Sequence, residues 1–144
     1  MPRFGRKSRK ELSTCDPRLQ EIFNEVIKHV DCSVLEGHRN KEMQDKYYDK
    51  GKTKVKYPKG RHNSYPSLAA DVTPYPVVWT DRERQTLFAG FVIGIARGMG
   101  YKLRWGGDWN GNFNVKDNKF DDFPHFEIKP SMNIKKDSRI LMRI

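Results

Sequence analysis

The sequence predicts an α+β fold: a single domain with a small antiparallel sheet, a long core helix and additional helices packed on the sheet. Three observations predict it. The chain has 144 residues, one domain's worth. Its helix and strand signals mix without strict βαβ alternation, which favours antiparallel pairing. One helical segment, ending near Gly98 or Gly100, is far denser in apolar residues than any other, as a core helix is.

The elements follow in chain order. Residues 1–15 form a basic leader segment with no element assigned. Asp16 is a candidate N-cap and Pro17 suits the first helical position. Leu19, Ile22, Phe23, Val26, Ile27 and Val30 then recur at helical spacing on one face. His29, near the end of that helix, reads as a surface residue that compensates the helix dipole. Cys32 to Leu35 is a short strand, followed by a turn at Glu36-Gly37. Lys41 to Lys50 is a polar helix stopped near Gly51, and the segment from Thr53 to Gly60 is a basic loop. Leu68 to Thr73 reads as a buried strand ended by Pro74 and Pro76. Thr80 and Glu83 have capping-box spacing, and Leu87, Phe88, Phe91, Val92, Ile95 and Met99 are the expected buried face of the helix they open. Tyr101 to Trp105 and His125 to Ile128 are strands, joined by a long loop rich in Asn, Asp and Gly. Long ordered loops in small domains are usually functional.

Composition narrows the partners. Charged residues make up 32% of the chain and the net charge is +10, so polyanions attract it, nucleic acid or an acidic bacterial envelope alike. At 12% aromatic and 36% apolar it is not a disordered sequence. No run approaches the roughly 18 apolar residues of a membrane span. The basic start of the chain is not followed by an apolar stretch, so it does not read as a secretory signal. Cys15 and Cys32 have no zinc-finger spacing and read as two reduced thiols.

Two of the four histidines lie beside strands and near carboxylates. His62 precedes Asp71 by nine residues, and His125 follows Asp122 by three. A mononuclear catalytic zinc site needs three protein ligands and an open position, with a carboxylate nearby as general base. His62, Asp71 and His125 can supply the ligands, leaving Asp122 as the base. Spacing alone is a weak signal, and on it a solvated loop histidine at 62 and a satisfied strand histidine at 125 are the favoured reading. Arg39, after the Glu36-Gly37 turn, reads either as a surface guanidinium or as a group that stabilises a tetrahedral oxyanion. Glu127 falls on the same strand face as His125, where it either orients a ligand histidine or faces solvent. Trp105 and Trp109 flank a Gly-Gly pair and read as a substrate groove wall or as one core and one exposed indole. The loop over 108–122 offers many oxygen atoms for Ca2+. However, Phe113 occupies the position where a calcium loop needs glycine, and a tight turn at Asn110-Gly111 is the simpler account.

Glu36-Gly37-His38-Arg39, Gly60-Arg61-His62-Asn63, Ala69-Ala70-Asp71-Val72 and Asp122-Phe123-Pro124-His125-Phe126-Glu127 occur in that order. This set resembles the zinc peptidases that include L-alanyl-D-glutamate endopeptidase endolysins and D-alanyl-D-alanine carboxypeptidases and dipeptidases. The likeness extends to Phe4-Gly5, Ser8, Leu12, Pro17 and Leu19, to Asp71 through Pro76, and to Leu103 through Trp109. The resemblance implies one Zn2+ held by His62, Asp71 and His125, a proton shuttle at Asp122, and an oxyanion-stabilising Arg39. Gln44 matches a recurring family position and is carried over, with Trp105 and Trp109, as a substrate-binding residue. Two departures stand out: the His-to-Asp spacing is two residues longer than the family's commoner one, and Gly60 stands where many members have serine.

The function expected is therefore hydrolysis of the peptide stem of bacterial peptidoglycan by a phage endolysin, with L-alanyl-D-glutamate specificity ahead of D-alanyl-D-alanine carboxypeptidase activity. The enzyme would be made in the host cytoplasm, released through a holin, drawn to an anionic envelope and active as a monomer. A basic nucleic-acid-binding protein is the distant alternative. It is disfavoured because the cations are scattered and no recognition motif is present. Residues 131–144 lie past the resemblance. Their apolar residues Ile134, Ile140, Leu141, Met142 and Ile144 either pack on the core or form a basic amphipathic contact.

Overall fold

A computed structural model describes residues 2–129; the extension at 131–144 lies outside the described residues. The elements are α1 (Arg6–Leu12), α2 (Pro17–Val26), β1 (Cys32–Glu36), α3 (Lys41–Asp49), β2 (Ala69–Pro74), α4 (Arg82–Gly98), β3 (Leu103–Gly106) and β4 (Asp122–Ile128). The four strands form one sheet in the order β1-β2-β4-β3, and every pairing is antiparallel. β2 and β4 occupy the interior of the sheet, as their largely buried sequences require.

Strand alternation sorts the side chains. Ala70, Val72, Phe126 and Ile128 face the helical layer and are almost fully buried. Phe126 is the centre of that layer, edge-on to Phe23 of α2 at 5.6 Å and to Phe88 of α4 at 6.2 Å. The residues between them, Asp71, His125 and Glu127, therefore turn to the opposite face. The helices thus supply the core on one side and leave the chemistry-bearing side chains on the other.

α2 begins as expected: the Asp16 carboxylate accepts from the backbone N–H of Arg18, and Pro17 opens the helix. Its apolar face is buried throughout. α3 is likewise capped, by the Asn40 side chain accepting from the Met43 N–H, and Gly51 at φ +73° follows its end. Both cysteines are free and buried, and burial pushes each thiol up to about 12.

Three expectations are corrected. The leader contains a helix, α1, because Ser8 and Leu12 are buried against the sheet and the Ser8 hydroxyl accepts from the Val34 N–H. The cap of α4 is Asp81 rather than Thr80; its carboxylate accepts from the Arg84 N–H. The buried face of α4 is also rotated. Gln85, Phe88, Ala89, Val92 and Ala96 face the sheet, while Leu87 is 78% exposed and Phe91 lies at the surface. Small alanines fit close to the sheet, and the buried Gln85 donates to the Thr73 hydroxyl at 2.7 Å, so polarity alone misplaces the face.

Among the described residues, no helix is long and apolar enough to cross a membrane. The rotation of α4 yields a stability test. Phe88→Ala should cost about 3–5 kcal/mol, whereas Leu87→Gln should change stability by less than about 0.5 kcal/mol. Urea unfolding of the two variants measures both.

Candidate metal centre

The site begins with strand register. Antiparallel pairing sets Asp71 of β2 directly opposite His125 of β4, so both side chains emerge on the same face, close together. His62 arrives from the loop after α3. The His62 carbonyl accepts from the Arg39 N–H, and its Nδ1 lies 2.7 Å from the Gly37 carbonyl. That carbonyl can only accept, so Nδ1 carries the proton and the lone pair sits on Nε2, 3.1 Å from Asp71 Oδ1. His125 is set the other way round. Its Nε2 lies 2.7 Å from Glu127 Oε1, which leaves the Nδ1 lone pair 3.4 Å from the same Asp71 oxygen.

One donor atom each from His62, Asp71 and His125 thus lie within 4.8 Å of one another. Two imidazole lone pairs directed at a carboxylate oxygen repel unless a cation sits between them. A proton or a metal ion bound there would relieve that repulsion. The donor set of two nitrogens and one oxygen, with its outer hydrogen bonds already made, fits a small tetrahedral cation such as zinc. Electrostatics agree. Burial opposes ionisation of Asp71, but the His62 and His125 imidazoles hold its carboxyl far below the usual range. Burial likewise disfavours charge on His125, but Asp71 and Glu127 outweigh it and lift its pKa to about 9.

Asp122 reaches the site through an irregularity. Trp105 pairs with Phe126, but the next residue, Gly106, pairs with Asp122, so residues 123–125 arch away from β3. Pro124 is tolerated inside a strand because it falls in this arch. Gly106 is required there: a Cβ would lie 2.0 Å from the Asp122 carbonyl oxygen. Burial and the neighbouring Asp71 charge raise the Asp122 pKa above its ordinary 3.8, against the pull of His125, His62 and Arg39.

Arg39 is held rigidly. Its Nε donates to Glu36 Oε1 at 2.6 Å and Nη1 to Gln44 Oε1 at 3.0 Å. Its guanidinium carbon lies 4.7 Å from the Tyr47 ring centroid, and Nη2 approaches Asp71 Oδ2 to 3.9 Å. Gln44, carried over as a substrate-binding residue, lines the cleft but uses its side chain to hold its neighbours. Its Oε1 accepts from Arg39 and Asn63, its amide donates to the Val55 carbonyl, and it is 1% exposed. Trp105 is also corrected. It is buried, stacks on Phe123 and donates to the Phe123 carbonyl, outside the cleft. Trp109 does form a wall, with its ring 5.5 Å from that of His125. Glu127 is 2% exposed and is held by Arg104 at 2.9 Å while it holds His125.

These groups line a cleft of about 440 Å3, together with Tyr47, Lys52, Lys54, Lys59 and Phe120. Sequence reasoning misses Glu36, Tyr47, Asn63 and Arg104 as parts of the site. Only the Glu36-to-Arg39 spacing gives any signal. The two departures from the family pattern are accommodated. The additional residues between His62 and Asp71 project outward, with Tyr65 71% exposed, and the chain re-enters at the fully buried Ser67. A Cβ at Gly60 would meet Asn63 Oδ1 at 2.5 Å, the atom that accepts from the Gly60 N–H. The calcium expectation finds no support. The Asp108, Asn110, Asn112 and Asn114 side chains spend oxygens on backbone N–H groups within their own loop.

A His-Asp-His donor set beside a raised-pKa carboxylate and a fixed arginine is an arrangement that suits a metal-dependent hydrolase. Comparison with known proteins narrows the class. The family model for phage L-alanyl-D-glutamate peptidases matches residues 1–129, and the chain belongs to that family. It is 27% identical over 121 residues to the L-alanyl-D-glutamate peptidase of Escherichia phage T5, covering 80% of this chain and 87% of that one. The crystal structure of the L-Ala D-Glu endopeptidase ChiX of Serratia marcescens is similar at TM-score 0.70 and 25% identity, over 88% of this chain and 90% of that one.

Removing the Glu127 anchor frees the His125 ring. Glu127→Ala should weaken divalent-metal affinity roughly 10- to 100-fold, with a smaller loss in Glu127→Gln, measured by titration against a chelator. Because His125 holds a proton up to about 9, metal and proton compete at Nδ1. Apparent affinity should therefore rise with pH through neutrality and level off above that value. Calorimetry in buffers of different ionisation heat detects the released proton.

Proposed function

We propose that the protein is a zinc-dependent endopeptidase that hydrolyses the L-alanyl-D-glutamyl amide in the peptide stem of bacterial peptidoglycan, acting as a phage endolysin. One observation carries the reading: His62, Asp71 and His125 bring donor atoms within 4.8 Å of one another inside a cleft that Asp122 and Arg39 also line. Membership of the phage peptidase family supports the bond assigned.

His62, Asp71 and His125 would hold a zinc ion, which when bound would supply Lewis acidity of the kind that lowers the pKa of water from about 15.7 to about 7. Asp122 receives the proton of the attacking water on its carboxylate and passes it to the leaving amine nitrogen. Its raised pKa suits both roles, because a carboxylate that ionises too readily returns a proton poorly. Arg39, fixed by Glu36 and Gln44, places a permanent charge where the carbonyl oxygen becomes negative. Trp109 and the cleft lysines face the peptide and its carboxylates. The net charge of +10 favours approach to an anionic cell envelope after release from the host cytoplasm through a holin, and one chain carries the whole site, so a monomer suffices.

Digestion of purified peptidoglycan, followed by mass spectrometry of the new ends, tests the bond. New L-alanine carboxyl and D-glutamate amino termini are expected; loss of terminal D-alanine alone would refute it. Asp122→Asn should lose roughly 10²- to 10⁴-fold in kcat while retaining metal and fold. In the wild type the acid limb of the rate profile should lie above the ordinary carboxylate value of 3.8, since activity requires the ionised form.

A further inference from the structure

A second cleft, of about 320 Å3, opens on the other side of Trp105. It is concave and in the size range of ligand sites. α4 contributes Gly90 and Ile93 to its floor, and the loop after β3 contributes Val115 and Phe113. Phe113 is 88% exposed at φ +63°, the one non-glycine with positive φ among the described residues. A bulky side chain in that backbone region is an outlier of the kind that clusters at ligand clamps. Here the Asp108 carboxylate holds it in place by accepting the Phe113 N–H at 2.9 Å.

The rim is cationic. Arg97, Lys102, Arg104 and Lys129 line it; Arg104 is already bonded to Glu127 and Lys102 has its own partner, so Arg97 and Lys129 are the cations that face a ligand. Burial and the charges of Lys102, Arg104 and Arg97 together lower the pKa of Lys129, so an anion placed there relieves repulsion. Arg104 lines both clefts, so the two are neighbours, separated by the Arg104 side chain. A flat bilayer surface does not enter a concavity of this kind.

We infer that the second cleft is a substrate subsite, in which an apolar floor and a cationic rim hold a carboxylate-bearing segment of the peptidoglycan strand next to the stem being cut. The inference rests on the proposed peptidase function and deepens it. The subsite would contribute to binding of polymeric wall and add nothing to hydrolysis of a short free stem peptide.

Gly90 provides the test. A Cβ at Gly90 meets nothing within 4 Å, and replacing a glycine inside a helix raises helix propensity. Gly90→Leu should therefore fill the cleft without loss of melting temperature. Binding to purified sacculi is measured by sedimentation in an Asp122→Asn background, with Gly90→Leu or the charge reversal Lys129→Glu added. Each addition should weaken binding about tenfold, the scale of a lost charge-assisted contact, and Lys129→Glu should flatten its salt dependence. On a free stem tetrapeptide, otherwise wild-type enzymes carrying either change should keep kcat/KM within about twofold.

Unchanged sacculus binding in both variants would overturn the proposal. So would a lowered melting temperature in Gly90→Leu, which would mean that the protein fills the cleft itself. Loss of binding to phosphatidylglycerol vesicles with sacculus binding intact would reassign the cleft to lipid and also overturn it. A wild type that binds sacculi through this cleft but cuts neither substrate would sink the peptidase reading and leave the cleft's affinity for wall polymer standing.

Discussion

Asp71 Oδ1 sits 3.1 Å from His62 Nε2 and 3.4 Å from His125 Nδ1, and the rest of the molecule is arranged around that meeting. Removing a carboxylate from water costs several kcal/mol unless cations and hydrogen bonds replace the lost hydration. Asp71 is placed on an interior strand, where backbone pairing fixes it between β1 and β4. The helical layer makes this placement firm. Phe126, packed between α2 and α4, locks the strand that carries His125 on its other face. A one-residue slip of β4 would exchange the two, putting the phenyl ring into the cleft and the imidazole into the core.

Close backbone approach is the second constraint. Gly37 lies against the Glu11 carbonyl and the Thr14 hydroxyl at distances no Cβ tolerates, and its own carbonyl orients His62. The leader segment therefore reaches the metal centre without contributing a ligand: α1 and the turn after it form the surface on which the Gly37 turn rests. This explains why the start of the chain folds back on the sheet even though its composition is basic and mostly polar.

Much of this architecture is legible in the amino-acid sequence. Caps and helical spacing locate α2 and α3, and the order of strands and helices indicates the fold class. The candidate ligand set is legible only through the order of four short motifs, because His62, Asp71 and His125 converge through sheet register, which no local pattern reveals. The same reason hides Arg104, whose partner Glu127 is opposite it on the neighbouring strand. Trp105 and Trp109 look alike in sequence, yet the arch at 123–125 buries one under Phe123 and turns the other toward His125. α1 escapes notice because its buried stripe is only Ser8 and Leu12, among five charged neighbours.

The carboxylates of the cleft show how one small site separates its roles. Glu36 is tied to Arg39, Asp71 to two imidazoles, and Glu127 to His125 and Arg104. The partners of Asp71 and Glu127 hold those two carboxyls below their ordinary range, which does not suit them to carrying protons near neutrality. Among the described residues the Asp122 side chain has no such partner, and burial with the adjacent Asp71 charge moves its pKa upward instead. Environments that push neighbouring carboxyl groups apart are what assign acid and base roles within a shared pocket. The arch at 123–125 produces this difference, because it sets Asp122 into the cleft opposite Gly106, which has no side chain to pair with its carboxylate. The proposed shuttle role of Asp122 rests on what the fold withholds from that carboxyl as much as on what it supplies to Asp71.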